Sequence, residues 1–425
     1  MPTLPPRTRT GRRFLGWDTV AGGAGLQMMQ AAIFFQSFGV YVVVWADELG
    51  WSRAGIATGY ALVTLQGGVL GPVHGWFLER FGARRVILLG LVVLAGGLGL
   101  LSTVTSLTGY YGSMLLIGFG LSASGFLSIT TAIVPWFVRR RSTALSLMSI
   151  GISLGGLLVP LVAGATVELG WRPTIQLSAL VVLLAGLPLS VLMRRDPTAY
   201  GQAPDGVAAT DPERTAPVSD PSATPPIDFT LSQALRTRAF WLLGLGHSLA
   251  LLVIAAVTVH LIPHLSEGMD YSLQRAAGVV ALLTVTSAAG QIVGGPIGDR
   301  FDKGRIAAIG MLAHAAALLV LAWGEGDVAV VTFALVHGLA WGVRGPLMGS
   351  IRADYFGVRN FGSIMGASMM IFMVGNLVGP VLAGTMADQL GDYRLGFTVL
   401  AAFALCAAAV FLWARPPPPP ETGPT

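Results

Sequence analysis

The sequence predicts an all-α membrane protein, twelve transmembrane helices in two six-helix pseudo-repeats, with both termini on the cytoplasmic side. Three observations predict it. Hydrophobic residues make up 53% of the 425 residues and charged ones 11%, with a mean hydropathy of +0.70, which describes a polytopic membrane chain and no soluble one. Long stretches free of Asp, Glu, Lys and Arg recur along the whole length. Finally, Gly75-Trp-Phe-Leu-Glu79-Arg80-Phe-Gly82-Ala-Arg84-Arg85 returns 220 positions later as Gly295-Pro-Ile-Gly-Asp299-Arg300-Phe-Asp-Lys303-Gly-Arg305, and Pro160 returns at the same offset as Pro380. The chain reads as a duplication.

A helix rising about 1.5 Å per residue needs roughly 20 apolar residues to cross the hydrocarbon core. The uncharged stretches are 19–46, 54–78, 86–138, 142–167, 173–193, 239–266, 276–298, 306–324, 328–343, 360–387 and 395–414. Residues 86–138 are too many for one crossing and must fold back around Thr105–Tyr111, giving spans three and four. Span ten is cut short only by Arg344, since apolar residues continue to Ile351. The first stretch, 28 residues with no small-residue cleavage site, reads as a retained helix and not a signal peptide.

Lys and Arg are retained on the cytoplasmic side. With the N-terminus inside, 21 of the 26 basic residues fall in cytoplasmic segments, four outside, and Arg344 within a helix. The net charge of +5 therefore reports topology. The basic runs lack the interleaved aromatics of a single-strand groove, so no nucleic-acid partner is expected.

The sequence divides into a cytoplasmic tail (1–15), an N-terminal six-helix bundle (16–195), a cytoplasmic linker (196–237), a C-terminal bundle (238–414) and a proline-rich cytoplasmic tail (415–425). The linker, with seven prolines among Asp, Ser, Thr and Ala, reads as disordered. The lone Cys406 permits no intramolecular disulfide. No Walker-type glycine loop exists and Lys303 is the only lysine, so the chain is not an ATP-driven pump. His260 and His264 have i, i+4 spacing without a third nearby ligand beyond Glu267, so neither metal nor cofactor is expected, and no enzymatic activity.

Six helices, a linker, six more, and a Gly-x-x-x-Asp/Glu-Arg-x-Gly-x-Arg-Arg loop resemble the major facilitator superfamily. Glu48-Leu-Gly-Trp51-Ser-Arg53, Trp136-Phe137-Val-Arg139-Arg140-Arg141 and Asp354-Tyr355-Phe356-Gly357 are similar to bacterial relatives of its monocarboxylate and oxalate–formate porters. The resemblance implies a secondary transporter working by alternating access in the inner cell membrane, multi-pass and monomeric, with a small molecule, protons and lipid as partners.

The loop motif has a mechanical reading. A carboxylate at the end of span two or eight can face the positive N-terminal end of another helix: Glu79 near Phe361, Asp299 near Ser142. Gly75, Glu79, Arg80, Arg84, Arg85, Gly295, Asp299 and Arg300 are then gating residues that hold the cytoplasmic side closed. In the plainer reading these charges only fix topology.

Arg344, in Gly338-Leu-Ala-Trp341-Gly-Val-Arg344-Gly345-Pro346, sits near the middle of span ten. A guanidinium there persists only with a partner or a watery cavity, and no Asp or Glu stands at comparable depth. A bound carboxylate would supply the charge, and arginine's planar fork takes both of its oxygens. Otherwise Arg344 bonds to carbonyls freed around Gly345-Pro346 or snorkels outward. Many porters of the resembled type place a binding arginine in span eight, which here holds no cation.

In span one, Gln27, Gln30, Phe34, Phe38 and Tyr41 recur at intervals of three and four and share a face. Gln27, Gln30, Phe34 and Tyr41 join Arg344 and His337 as candidate substrate contacts, although membrane glutamines also glue helices together. His247, His260 and His337 are the candidate proton carriers. His337 lies seven residues before Arg344 and shares its face, while a lone membrane histidine is otherwise a structural hydrogen-bonding group. Gly151-x-x-x-Gly155 and Gly375-x-x-x-Gly379 permit close helix contact.

Together these features point to a proton-coupled symporter of a small organic anion, monocarboxylate-like. The alternative is a proton-coupled exporter of drugs or other lipophilic compounds, in which Arg344 is structural. A non-transporting sensor would need a folded cytoplasmic module, for which residues 196–237 are too few and too polar.

Overall fold

A computed structural model describes residues 13–194, 196–206 and 228–420. All regular elements among them are helices, because a backbone in hydrocarbon has no water to bond and must satisfy its own N–H and C=O groups. The first uncharged stretch forms α1 (Gly16–Gln30), a π-turn at Ala31–Phe35 and α2 (Phe38–Leu49). Next come α3 (Arg53–Val69) and α4 (Gly71–Phe81), bent by 55° from one another. Pro72 in the first turn of α4 has no N–H to continue the ladder from α3. Then follow α5 (Ala83–Leu101), α6 (Leu107–Ser124), α7 (Phe126–Ile133), α8 (Arg141–Leu157), α9 (Val159–Leu169), α10 (Trp171–Val181) and α11 (Leu187–Val191). The fold-back falls a few residues earlier than expected, between Leu101 and Leu107, where the Ser106 hydroxyl caps α6 by accepting from Gly109 N at 3.2 Å.

A short α12 (Leu231–Leu235) precedes α13 (Arg238–Gly268), α14 (Leu273–Arg300), α15 (Lys303–Trp323), α16 (Gly326–Arg344), α17 (Leu347–Phe356), α18 (Phe361–Leu390) and α19 (Arg394–Trp413). Ten helical stretches among the described residues are long and apolar enough to cross a membrane, eleven if the bent α3–α4 pair is one span. The remaining expected span, 19–46, is helical in three pieces that break at Gln36–Ser37.

The chain divides into two compact units, Met1–Asp228 with Phe356–Ala367, and Phe229–Tyr355 with Ser368–Thr425. The 220-residue repeat is visible within each. Ser52 caps α3 by accepting from Gly55 N at 3.1 Å, and Ser272 caps α14 by accepting from Arg275 N at 3.3 Å. In the first unit a Cβ at Gly151 would lie 2.1 Å from Ala24 O and one at Gly155 2.6 Å from Met28 O, so α8 and α1 touch backbone to backbone. In the second, a Cβ at Gly375 would lie 1.9 Å from Ser248 O and one at Gly379 2.1 Å from Leu252 O, joining α18 to α13. The Gly151–Ala24 contact reappears with the small and large residues exchanged, as Ile371 against Gly244. Small residues bring the helices close enough for dispersion to act between backbones where the hydrophobic effect offers nothing.

The polar stretch expected to be a disordered linker is ordered at both ends. The Asp205 carboxylate accepts from Val138 N (3.2 Å) and Arg139 N (2.8 Å). The Asp228 carboxylate accepts from Val358 N and Arg359 N, both at 3.1 Å. Val138 and Val358 stand at the same repeat position, so one kind of turn with two free N–H groups is capped twice. Thr230 and Gln233 close a capping box at the start of α12. The intervening 207–227 lie outside the described residues.

These close contacts set a stability expectation. Gly375→Ala forces a methyl group onto a backbone carbonyl that cannot move aside and is expected to cost about 1–3 kcal/mol, read as a lower thermal midpoint in detergent. Gly112→Ala, whose Cβ would meet nothing within 4 Å, is expected to leave the midpoint unchanged.

Candidate functional site

In the first unit the loop motif forms a contact. Gly71 and Gly75 of α4 lie against Gly366 and Gly362 of α18, a Cβ at Gly75 falling 2.4 Å from Gly362 O and one at Gly366 2.2 Å from Gly71 O. This four-glycine crossing brings the Glu79 carboxylate to the first turn of α18, where it accepts from Ser363 N at 2.9 Å. That N–H is one of the four that a helix leaves unsatisfied at its N-terminus, and the carboxylate also meets the positive end of the helix dipole. Arg80, Arg84 and Arg85 are exposed. The second copy keeps the same exposure pattern: Gly295 is buried, Asp299 half-buried at the end of α14, and Arg300 exposed.

The span-one candidates do not form one set. Gln27 is buried, whereas the Gln30 amide donates to Ser124 O (3.0 Å) and Ser124 Oγ (3.1 Å), holding α1 to the end of α6. Phe34 lies in the π-turn with its ring parallel to Tyr60, 6.1 Å between centroids, and Tyr41 stacks on Trp45 at 5.4 Å.

The second unit holds most of the buried arginines and histidines among the described residues. Arg344, at the end of α16, is 2% exposed, its stem packed over Gly310 of α15. It makes no hydrogen bond or ion pair among the described residues, and its Nε is enclosed without a partner. The expected alternative, bonds to carbonyls around Gly345-Pro346, is not formed. Two turns earlier in α16, His337 Nδ1 lies 3.0 Å from Nδ1 of His314 in α15, both rings fully buried and both Nε2 atoms unpartnered. His247 Nδ1 donates to Leu243 O at 2.9 Å, within its own helix. His260 Nε2 donates to Pro380 O at 2.8 Å, tying α13 to α18.

Arg352 was counted among the basic residues of the cytoplasmic segments; instead it lies inside α17, 1% exposed. Its Nε donates to Ser368 Oγ (3.0 Å), its Nη1 to Met348 O (2.9 Å), and its guanidinium sits 4.8 Å from the Phe372 ring centroid. Nη1 also lies 3.4 Å from His247 Nδ1, but that nitrogen's proton is directed at Leu243 O, so two donors face one another and no bond forms. Nη2 is buried without a partner. Burying an ion costs several kcal/mol, and a hydrogen bond to a charged group returns about 1.5–3 kcal/mol. Arg352 is thus partly offset by its neighbours, and Arg344 is not. No Asp or Glu is buried among the described residues.

The sequence profile of the Major Facilitator Superfamily matches residues 24–343 and 262–425. The chain belongs to this superfamily. Its members are transporters and not enzymes, and with about ten apolar helices the chain is a multi-pass membrane protein. Within the Major Facilitator Superfamily it is 26% identical to monocarboxylate transporter 13 of Bos taurus, over 93% of this chain and 88% of that one. It is 23% identical to the oxalate:formate antiporter of Oxalobacter formigenes, over 97% and 96%. It is also 26% identical to the agnestins efflux protein AgnL12 of Paecilomyces divaricatus, over 80% and 73%.

The Glu79 contact sets an expectation for a gate. Glu79→Gln, and Asp299→Asn in the second copy, are expected to favour the state open on the loop side and so speed labelling of a cysteine introduced at Val358. Labelling rates equal to those of the parent would remove the gating role.

Proposed function

We propose that this chain is a secondary active transporter that carries a small organic anion across the inner cell membrane by alternating access, coupled to protons. What carries the reading is the Arg344 guanidinium, buried in the second unit with no acidic or hydrogen-bonding partner among the described residues. A charge held that way costs free energy in every state except the one in which a ligand supplies the counter-charge. A carboxylate fits its planar fork. The similarity to a monocarboxylate transporter and an oxalate:formate antiporter supports the same class.

His337 serves as the proton carrier in this scheme, since it shares a face of α16 with Arg344 and holds an unpartnered nitrogen. Glu79 and Asp299 close the cytoplasmic side. Both termini are cytoplasmic, residues 16–195 and 238–414 are the two rocking bundles, and the working unit is the monomer. The second reading, proton-driven export of a lipophilic compound, is favoured by the similarity to an efflux protein and makes Arg344 structural.

Uptake of radiolabelled carboxylates into proteoliposomes, with an imposed pH gradient, separates the two. Wild type is expected to accumulate a carboxylate with the inward proton gradient, and Arg344→Gln to lose at least tenfold in rate. Uptake unaltered in Arg344→Gln, with lipophilic cations driven outward, transfers the assignment to export. His337→Gln is expected to abolish the pH dependence of uptake while retaining binding; full retention of proton coupling removes its role.

A further inference from the structure

We infer that the carried anion bears two negative charges and that Arg352 supplies the second guanidinium of its site, an inference that rests on the anion reading above. Two buried arginines stand in consecutive helices of one unit, Arg344 closing α16 and Arg352 inside α17. Eight positions separate them, about 12 Å of axial rise. Both guanidiniums are enclosed in the same unit, and Arg352 Nη1 lies 3.4 Å from His247 Nδ1 of α13.

Among the described residues of this unit, arginines are buried and no Asp or Glu is. The carboxylate next to Arg352 in sequence, Asp354, is exposed and paired with Lys303 at 2.6 Å. The groups that do touch Arg352 are a hydroxyl, a carbonyl and an aromatic face. Dipoles of this kind orient and solvate a guanidinium without cancelling its charge. His247 offers no counter-charge, since its Nδ1 proton is committed to Leu243 O and its Nε2 is a neutral lone pair. A monoanion on Arg344 leaves a full uncompensated charge on Arg352. A dianion neutralises both.

The fixing of Arg352 is that of a binding group. Ser368 holds its Nε and Met348 its Nη1, and Phe372 covers a face, which leaves Nη2 as a preoriented donor enclosed without an acceptor among the described residues. Arg344 is the freer of the two, so the molecule offers one rigid and one adaptable cation. Dicarboxylates differing by a methylene or two can then be accommodated by the adaptable end.

The test measures thermal shifts of the purified full-length protein with chain-matched pairs: malonate and propionate, succinate and butyrate, glutarate and valerate. Ligands that bind only the folded state raise its midpoint by mass action. At least one dicarboxylate is expected to bind wild type tenfold or more tightly than its monocarboxylate partner. In Arg352→Gln that preference is expected to fall to within about twofold while monocarboxylate affinity is retained, and Arg352→Lys to recover part of it. Should Arg352→Gln fail to fold, Ser368→Ala, which frees the guanidinium from its fixed edge, is read in its place with the same expected loss of preference. Equal affinity within every wild-type pair, or a preference undiminished in the variant, overturns the inference. The anion reading itself fails differently: no carboxylate of either charge binds wild type, or Arg344→Gln binds them all as wild type does.

Discussion

The absence of water from a bilayer interior governs this molecule twice over. It forces every backbone hydrogen bond into helices, and it makes any unpaired charge among those helices costly. Because lipid tails are as apolar as leucine, helices gain little from hiding apolar side chains and cohere by close backbone approach instead. Gly151, Gly155, Gly375 and Gly379 provide that approach in the two repeats, and Gly71, Gly75, Gly362 and Gly366 provide it at the loop motif. Among the described residues, the buried arginines and histidines are few enough to name individually, and most of them lie in the second unit.

The two kinds of polar feature answer to different demands. Glu79 meets a helix N-terminus, a contact between a carboxylate and free N–H groups that a modest rearrangement can break and remake. Arg344 and Arg352 are enclosed and held by helices that themselves break at Gly345–Pro346, where α16 ends and α17 begins. In the proposed scheme the gate requires a weak reversible bond, whereas the binding group requires a charge that the protein does not satisfy by itself. Sequence position follows this division, with Glu79 and Asp299 near helix ends at the loop motif and the guanidiniums within the long apolar stretch Gly326–Phe356.

Much of this was legible in the sequence because hydrocarbon imposes a one-dimensional signal. Uncharged runs gave the helices, the 220-residue offset gave the two repeats, and Arg344 stood out as a charge inside an apolar run. Glu79 near the start of span eleven followed from the dipole of a helix not adjacent in sequence, and the bond to Ser363 N matches it. Arg352 escaped because the same signal ends an apolar run at the first charge, and Arg352 follows Ile351 directly. Its continuation into Ala353, Tyr355 and Phe356 was the available clue. The pairing of His314 with His337 had no clue, since residues on different helices carry no spacing relation. The capping of turns by Asp205 and Asp228 was hidden by composition: a proline-rich polar stretch reads as featureless, and a carboxylate accepting two N–H groups depends on where the turns lie.

The His314–His337 contact has a consequence for how charge is stored. With two Nδ1 atoms 3.0 Å apart, one ring donates its hydrogen and the other accepts it, so the two imidazoles are locked into opposite tautomers. One outlying Nε2 is then a donor and the other an acceptor, and the pair has a polarity that reverses only if both rings exchange tautomers together. One extra proton can sit on the bare Nε2 of the ring that donates the shared hydrogen, without disturbing that hydrogen. A second would set two N–H groups head to head and split the rings apart. The pair is therefore a one-proton register with a direction, read from either end.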